Sequence, residues 1–561
     1  MQTLLLISLI FAPLAFGSVE PWAFGLLEIS AFSSAAFLFA RGRTTRPNPL
    51  YNNLLPAVLA IALIGLLQAI KETPINAPSS LIFTVWRPGT LGAVNLWLFY
   101  AAVLFIVPQI ITTPARFKKL MWLMFGMGVL VTIAAMFQRT GNNDIVYGLR
   151  RVSRSQSFGP FINRDHAAHF LAITAMVGLG IFFSGFRELR DPQSLGRRID
   201  AVATQFLKII MIGSLVYGIV RCGSRGGLLA LAFAAAVTGF IAAGFIYGKK
   251  LRLAARAAII MVLIGCGTLS TSLPQFLNPA KNDVNDSVNT RLSLYKSSVE
   301  MFKDFPLAGV GLGAVEHAFP FYKRQDIDPL KIVRHVHSDW FELFLQTGLL
   351  GGLIYISGLI GALRRLFKTW TSCQSFRLKA YYGGALGGVL AAMAHNLMDF
   401  GSQTPANALF FYTLLGALAS TPPTLPRGAC PEEEPPPAIP GKIFSAAAIA
   451  AAFMLCLSTA PAAIAWWYDL SSNAKNTTYE DKVKYKAAAL GWDPDPQYAF
   501  RLAAVYFNRA IEQDPPSRPL LDNSLQVILP YLKRTPVNYD INRLNERILN
   551  LQSRARQGAP G

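Results

Sequence analysis

Charge is scarce in this sequence. Only 15% of its 561 residues are Asp, Glu, Lys or Arg, against 52% hydrophobic, and the mean hydropathy is +0.37. A water-soluble chain of this length needs more charge to cover its surface, so a soluble globular enzyme is excluded. Acid is the scarcer sign: 31 Asp and Glu stand against 52 Lys and Arg, a net charge of +21. Cysteine is nearly absent as well. The five present, Cys222, Cys266, Cys373, Cys430 and Cys456, form no CxxC pair and are odd in number, which argues against a disulfide framework and against a zinc site. They read as small apolar residues.

What is abundant is apolar sequence in blocks long enough to cross a bilayer as helices, about 17–22 residues each. Spans are expected near 2–17, 22–40, 54–70, 91–111, 117–137, 166–185, 207–221, 226–247, 256–274, 339–363, 380–398, 404–420 and 443–468. The fold class is therefore an all-α polytopic membrane bundle of about 12–13 spans. The first block is also readable as a signal peptide ending in Ala15–Ser18. It has no basic leader, and a second apolar block follows at once, so it reads as the first span.

The positive charge follows the loops. Basic clusters at Arg41, Arg43 and Arg46, at Arg116, Lys118 and Lys119, at Arg187, Arg190, Arg197 and Arg198, at Lys249, Lys250, Arg252 and Arg256, and at Arg364, Arg365, Lys368, Arg377 and Lys379 all fall on one side when helices are counted in order. That is the positive-inside pattern; the partner it implies is anionic lipid, not nucleic acid. The N-terminus is then cytoplasmic and the C-terminal tail lies outside.

Three outer loops are longer than a connection needs: 71–90, 138–165 and 275–338. The cytoplasmic stretch 421–442, with Glu432, Glu433 and Glu434 among prolines, reads as a flexible linker. Trp466, Trp467 and Tyr468 close a membrane domain spanning 1–468 as an interfacial anchor. The tail, 469–561, is polar and helical in pattern. Leu502, Ala503, Tyr506 and Ala510 have the spacing of a tetratricopeptide-like first helix, though a small helical domain accounts for them equally.

Polar residues near membrane depth are costly and often functional. Arg221 and Arg225 flank a short outer turn, Arg221-Cys222-Gly223-Ser224-Arg225-Gly226-Gly227. Either they snorkel to the interface, or they meet a ligand that the glycines allow to approach closely. Arg291 lies ahead of an amphipathic helix ending at Phe302. Gly309, Gly311 and Gly313 resemble a phosphate loop but lack its Lys-Ser/Thr and its preceding strand, so a tight outer turn is the better account. His335 and His337 precede the tenth span in His335-Val336-His337-Ser338-Asp339-Trp340-Phe341-Glu342. An imidazole exchanges protons near neutral pH, and no further ligands are spaced for a metal. His395, Asn396 and Asp399 close the eleventh span, where they either cap the helix or line a cavity.

Arg225, Arg291, His337 and Asp399 come from distant segments, yet the topology puts all four on the outer face. Paired guanidinium groups suit a diphosphate, and a histidine or carboxylate nearby suits proton removal from an attacking hydroxyl. The set fits transfer from a diphosphate-linked donor, the arginines stabilising the leaving group.

At these residues the chain resembles the bacterial O-antigen ligase and polymerase superfamily. The resemblance runs from Pro13–Trp22 through Phe158–His166, which includes Arg164 and His166, to the Ser224-Arg225-Gly226 turn, Arg291 and the Gly309–Gly313 run. His337-Ser338, then nine residues, then Gly348 is similar to the family's most specific signature, and His395–Phe400 and Thr404–Ala408 are similar to its later segments. About residues 1–420 are covered. The resemblance implies a GT-C-type glycosyltransferase of the bacterial inner membrane, working without metal or cofactor on undecaprenyl-diphosphate-linked glycans at the periplasmic face. By motif position Arg225 and Arg291 contact the donor diphosphate and His337 assists acceptor deprotonation; Arg221, Arg164, His166, His335, Asp339, His395 and Asp399 are second-rank candidates for the cavity.

The expected activity is ligase-like, with lipid A core, another glycan or a protein as acceptor. A polysaccharide polymerase or a protein oligosaccharyltransferase of the same superfamily is the alternative, since the shared motifs do not separate them. The non-enzyme rival is a polytopic transporter or scaffold whose tail binds a protein partner. A transporter is expected to carry ionisable residues near the midplane of its helices; here the spans are almost free of charge.

Overall fold

The computed structural model describes residues 1–40, 53–73, 75, 83–139, 145–147, 150–151, 157–186, 195–245, 248–250, 252–254, 256–257, 283–324, 326–327, 333–420, 460–473, 477–513, 516–534 and 539–557. The Arg41–Arg46 cluster, most of the expected 256–274 and 443–468 spans, the 421–442 linker, and Cys266, Cys430 and Cys456 lie outside them.

The protein is an all-α, multi-pass membrane protein. Helices α1 (Gln2–Leu14), α2 (Pro21–Ala40), α3 (Leu54–Gln68), α4 (Arg87–Ile110), α5 (Pro114–Arg139), α6 (Arg164–Ser184), α7 (Leu195–Cys222) and α8 (Arg225–Ala243) follow the expected order. After α9 (Asp283–Asp304) and the single turn α10 (Val315–Ala318) come α11 (Asp339–Ser372), α12 (Phe376–His395) and α13 (Pro405–Ser420). The only strands among the described residues are two-residue β1 (Ile145–Val146) and β2 (Arg150–Arg151), paired antiparallel in the loop before α6.

Seven of these helices are long and apolar enough to cross a bilayer by length and composition. Three more, α1, α3 and α13, are apolar but shorter. The eleventh expected span, α12, is rich in glycine and alanine and lies in the middle of the bundle, packed most closely on α6. A Cβ on Gly180 would lie 2.7 Å from the Cα of Gly384, so glycine on both helices lets the backbones touch, the usual route to tight association where lipid supplies no hydrophobic drive. One departure from the charge-free reading stands out. Glu28 sits in α2 at 2% exposure, and its Oε1 has no hydrogen-bond partner among the described residues. Lys208, buried in α7, donates to Gln205 Oε1 at 2.8 Å.

Helix starts organise one end of the bundle. Asn163 caps α6 by accepting from Asp165 N at 2.8 Å, Ser224 caps α8 from Gly227 N at 3.3 Å, and Ser338 caps α11 from Phe341 N at 3.4 Å. Each cap satisfies an otherwise unpaired donor of the first turn. The glycine-rich run beyond α9 does form a tight turn. It packs on α11, with Val310 N donating to Leu345 O at 2.9 Å and Gly311 N to Gln346 O at 3.2 Å.

The tail holds four described helices, α14 (Tyr479–Trp492), α15 (Pro496–Ile511), α16 (Arg518–Arg534) and α17 (Tyr539–Gln557). Ala503 and Ala510 of the tetratricopeptide-like pattern pack with Phe507, Leu521, Ile528 and Ile541, so α15, α16 and α17 share one small core, while Ala489 of α14 packs with Ala465 and Tyr498. Buried Asp469 ties the tail's approach to its body through Lys486 Nζ at 3.0 Å and through Arg501. Trp466, expected as an interfacial anchor, donates its indole N–H to Glu20 Oε2 at 2.6 Å, and Glu20 also pairs with Arg150.

Candidate functional site

His337 stands immediately ahead of the Ser338 cap, in a left-handed backbone conformation with φ of 56°. A residue other than glycine held there stores about 1–3 kcal/mol and persists only where its surroundings hold it. Two contacts do so. Tyr295 of α9 donates its hydroxyl to the His337 carbonyl at 3.0 Å, and the imidazole Nδ1 lies 3.3 Å from Asp399 Oδ1. Asp399 is buried while about a third of the His337 side chain is exposed, so the ring bridges a fixed carboxylate and open space.

Burial alone would raise the Asp399 carboxyl. The hydrogen bond from His337 and the neighbouring imidazoles of His166 and His395 override it and hold the group well below the usual carboxylate range. His166 Nε2 lies 3.9 Å from Asp399 Oδ2, and its Nδ1 meets Thr404 Oγ1 at 2.7 Å. Asp399 therefore sits between two histidines from α6 and the α11 approach.

His335 forms the second pair. Its Nδ1 lies 2.9 Å from Glu342 Oε1, and Glu342 is also held by Val336 N at 3.1 Å, Gln346 at 3.1 Å and Gln403 at 2.8 Å. Burial would lower the His335 pKa, but the Glu342 carboxylate raises it above its ordinary value. Phe400 sits among three imidazoles, stacked on His335 at 4.1 Å and edge-on to His166 at 4.8 Å and His337 at 5.3 Å.

The other residues singled out from sequence fall as follows. Arg225 is the first residue of α8 and is half-buried, and Arg291 is half-buried on α9. Neither has an ion-pair partner among the described residues. A Cβ on Gly226 would lie 3.7 Å from His395 Nε2, which places the Arg225 turn against the end of α12. Arg291 is near enough to act electrostatically on Tyr295 and His395. Arg164 is exposed beside the same turn, its guanidinium 3.9 Å from where a Gly223 Cβ would stand. Arg221 ends α7 on the exposed surface. His395 is buried against His169, the ring centres 4.8 Å apart, with neither ring hydrogen-bonded among the described residues.

Asp339 turns away from His337. Its carboxylate accepts from Ser402 N at 2.7 Å and Gln403 at 3.4 Å, and it lines a cavity on the α4 side. Asp326 accepts from Ser293 Oγ at 2.6 Å and lies 3.6 Å from Arg324, which is a structural use of its carboxylate. Among the described residues, no three His, Cys, Asp or Glu side chains gather as metal ligands.

Sequence reasoning passed over Glu342, Phe400, Gln403 and Tyr295. Glu342 carried a signal, a carboxylate in the first turn of an apolar span. The others have residue types too common to stand out.

Residues 207–356 match the family described as O-antigen ligase. This match, over about a quarter of the chain, supports a place in the O-antigen ligase and polymerase superfamily. The matched segment contains Arg225, Arg291, His335, His337 and Glu342, while Asp399, His166 and Arg164 lie beyond it. No curated protein matches the chain. The match supports glycosyl transfer of the ligase or polymerase type, with a lipid-linked glycan donor and a glycan acceptor in general.

Proposed function

We propose that the protein transfers a glycan from undecaprenyl diphosphate to an acceptor hydroxyl, such as one on lipid A core, at the periplasmic face of the inner membrane. The observation that carries this reading is the convergence of the His337–Asp399 pair with Arg225 and Arg291 at the end of the bundle where α6, α8 and α11 begin. Three helix N-termini add partial positive charge to the arginines there, an environment suited to a diphosphate. By the loop-charge rule this end is the outer one, with the N-terminus inside and the tail outside.

His337 Nδ1 engaged by Asp399 leaves Nε2 as the base. The acceptor hydroxyl forms a bond to the anomeric carbon of the donor as its proton passes to Nε2. The bond from that carbon to the diphosphate oxygen breaks, and undecaprenyl diphosphate leaves with its charge held by Arg225 and Arg291. Arg164, beside the Arg225 turn, extends the positive surface. This chemistry needs neither a metal nor a cofactor. The tail stands beside the site loop, with Asp495 acting electrostatically on Arg334 and Glu316, and serves to recruit an acceptor or a protein partner.

The test is the surface glycan of a deletion strain complemented with wild type or His337→Ala. Lipid-linked polymer should accumulate and long-chain lipopolysaccharide should return with wild type alone. Single-unit chains instead would make the enzyme a polymerase; unchanged lipopolysaccharide would remove lipid A core as the acceptor.

A further inference from the structure

A cavity of about 90 Å³ lies between α4, α11 and α13, several times the roughly 10–15 Å³ that one water needs. Trp97, Tyr100, Asp339, Trp340, Asn396 and Gln403 are among the residues lining it. Its walls are joined by hydrogen bonds and ring contacts. Tyr100 donates to Ser402 O at 2.7 Å, Tyr355 and Tyr412 pair hydroxyls at 3.0 Å, and Trp97 packs edge-on against Tyr355 at 5.1 Å.

Asp339, Asn396, Ser402 and Gln403 give one side of this wall a polar edge, with the Asn396 amide nitrogen donating to Ser402 Oγ. A hydrocarbon chain in the cavity would leave that edge without a polar partner, which is costly. Aromatic faces beside a carboxylate and two amides are what a pyranose ring needs: C–H groups against the rings and hydroxyls on the polar edge.

We propose that this cavity is a sugar subsite that takes one pyranose ring of the acceptor glycan, an assignment of substrate that rests on the transfer reading above. Its position suits that role. Asp339 is two residues beyond His337, and Asn396 is three before Asp399, so the subsite adjoins the base. His395 faces the Arg225 turn, while its neighbour Asn396 lines the cavity. An acceptor held on the α4 side approaches the anomeric carbon from away from the arginine-bound diphosphate.

The experiment is saturation-transfer NMR on the full chain in amphipol, free of sugar detergent. Methyl α-D-glucopyranoside, galactopyranoside and mannopyranoside serve as sugar probes and farnesol as an isoprenoid probe. At least one glycoside should receive saturation, and Asn396→Ala and Trp97→Leu should each weaken it at least about five-fold while farnesol is unchanged. Thermal unfolding of both variants checks that they are folded. Glycoside signals undiminished in both folded variants would overturn the proposal, as would farnesol alone binding and responding to them. Turnover is not needed for this readout. Glycoside binding that maps to the cavity in a protein that transfers no glycan would sink the transfer reading and leave the subsite standing. Transfer that depends on His337 and Arg225 while the mapping fails would sink the subsite alone.

Discussion

His337 Nδ1 and Asp399 Oδ1 stand 3.3 Å apart although 62 residues separate them, and the histidine reaches that distance from a left-handed backbone. The carboxylate fixes which ring nitrogen is engaged and which is free. His337→Ala should lower transfer roughly 10²–10⁴-fold, the range for loss of a general base. Asp399→Asn keeps the volume and loses the charge, so its effect should be smaller, about 10–100-fold. Single-turnover rates across pH 5–9 check this. An Asp399→Asn enzyme with the wild-type rate and profile would mean that Asp399 only caps α12.

The arginines make a different prediction. Arg225 and Arg291 are half-buried, lack a carboxylate partner among the described residues, and face the same end of the bundle. Truncating either to alanine should weaken donor binding by about 10–100-fold, the loss expected for one charge-assisted contact. Lysine should restore the charge but not the bidentate geometry, and so only part of the affinity. Titration with undecaprenyl diphosphate, read by tryptophan fluorescence, distinguishes the two substitutions.

Much of this architecture is legible in the sequence because the bilayer leaves few choices. Apolar blocks and alternating basic loops place α1 to α8 in order, and His337, Arg225 and Arg291 stand out as polar groups where polar groups are costly. What the sequence hides is pairing. Nothing in the spacing says that Glu342 belongs to His335, or that Phe400 lies among three imidazoles, because both depend on how α11 and the 396–404 segment cross. Glu28 is the converse case. One carboxylate in an apolar block barely alters its hydropathy, and only packing shows that it is buried.

The His335–Glu342 pair carries a pH prediction. Its folded pKa is raised above the ordinary value of 6.5 by the Glu342 carboxylate, against the pull of burial. The pair's stabilisation is therefore complete below the unfolded value and is lost as pH rises through the folded one. Wild type should show a falling unfolding temperature over that window, and His335→Gln, which cannot titrate, should lack this part of the fall. Parallel curves for the two proteins would remove the ion pair from the account.

Gly348 links the site helix to the glycine turn. It bends α11 with φ of 63°, and a Cβ there would run into the backbone of Leu307 and Ala308. That contact carries structure: Leu349 N donates to Pro306 O at 2.8 Å and Leu350 N to Leu307 O at 3.2 Å. Gly348→Ala pays for both the left-handed conformation and the collision, so it should destabilise the fold by about 1–3 kcal/mol or more. Gly92 of α4 is the contrast, a helical glycine whose Cβ would meet nothing within 4 Å. Alanine there should be neutral or stabilising by up to about 1 kcal/mol, since only helix propensity changes. Thermal unfolding of the two variants side by side reads the difference. Equal midpoints would mean that α11 straightens at no cost, and that the bend is not what holds the glycine turn against the site helix.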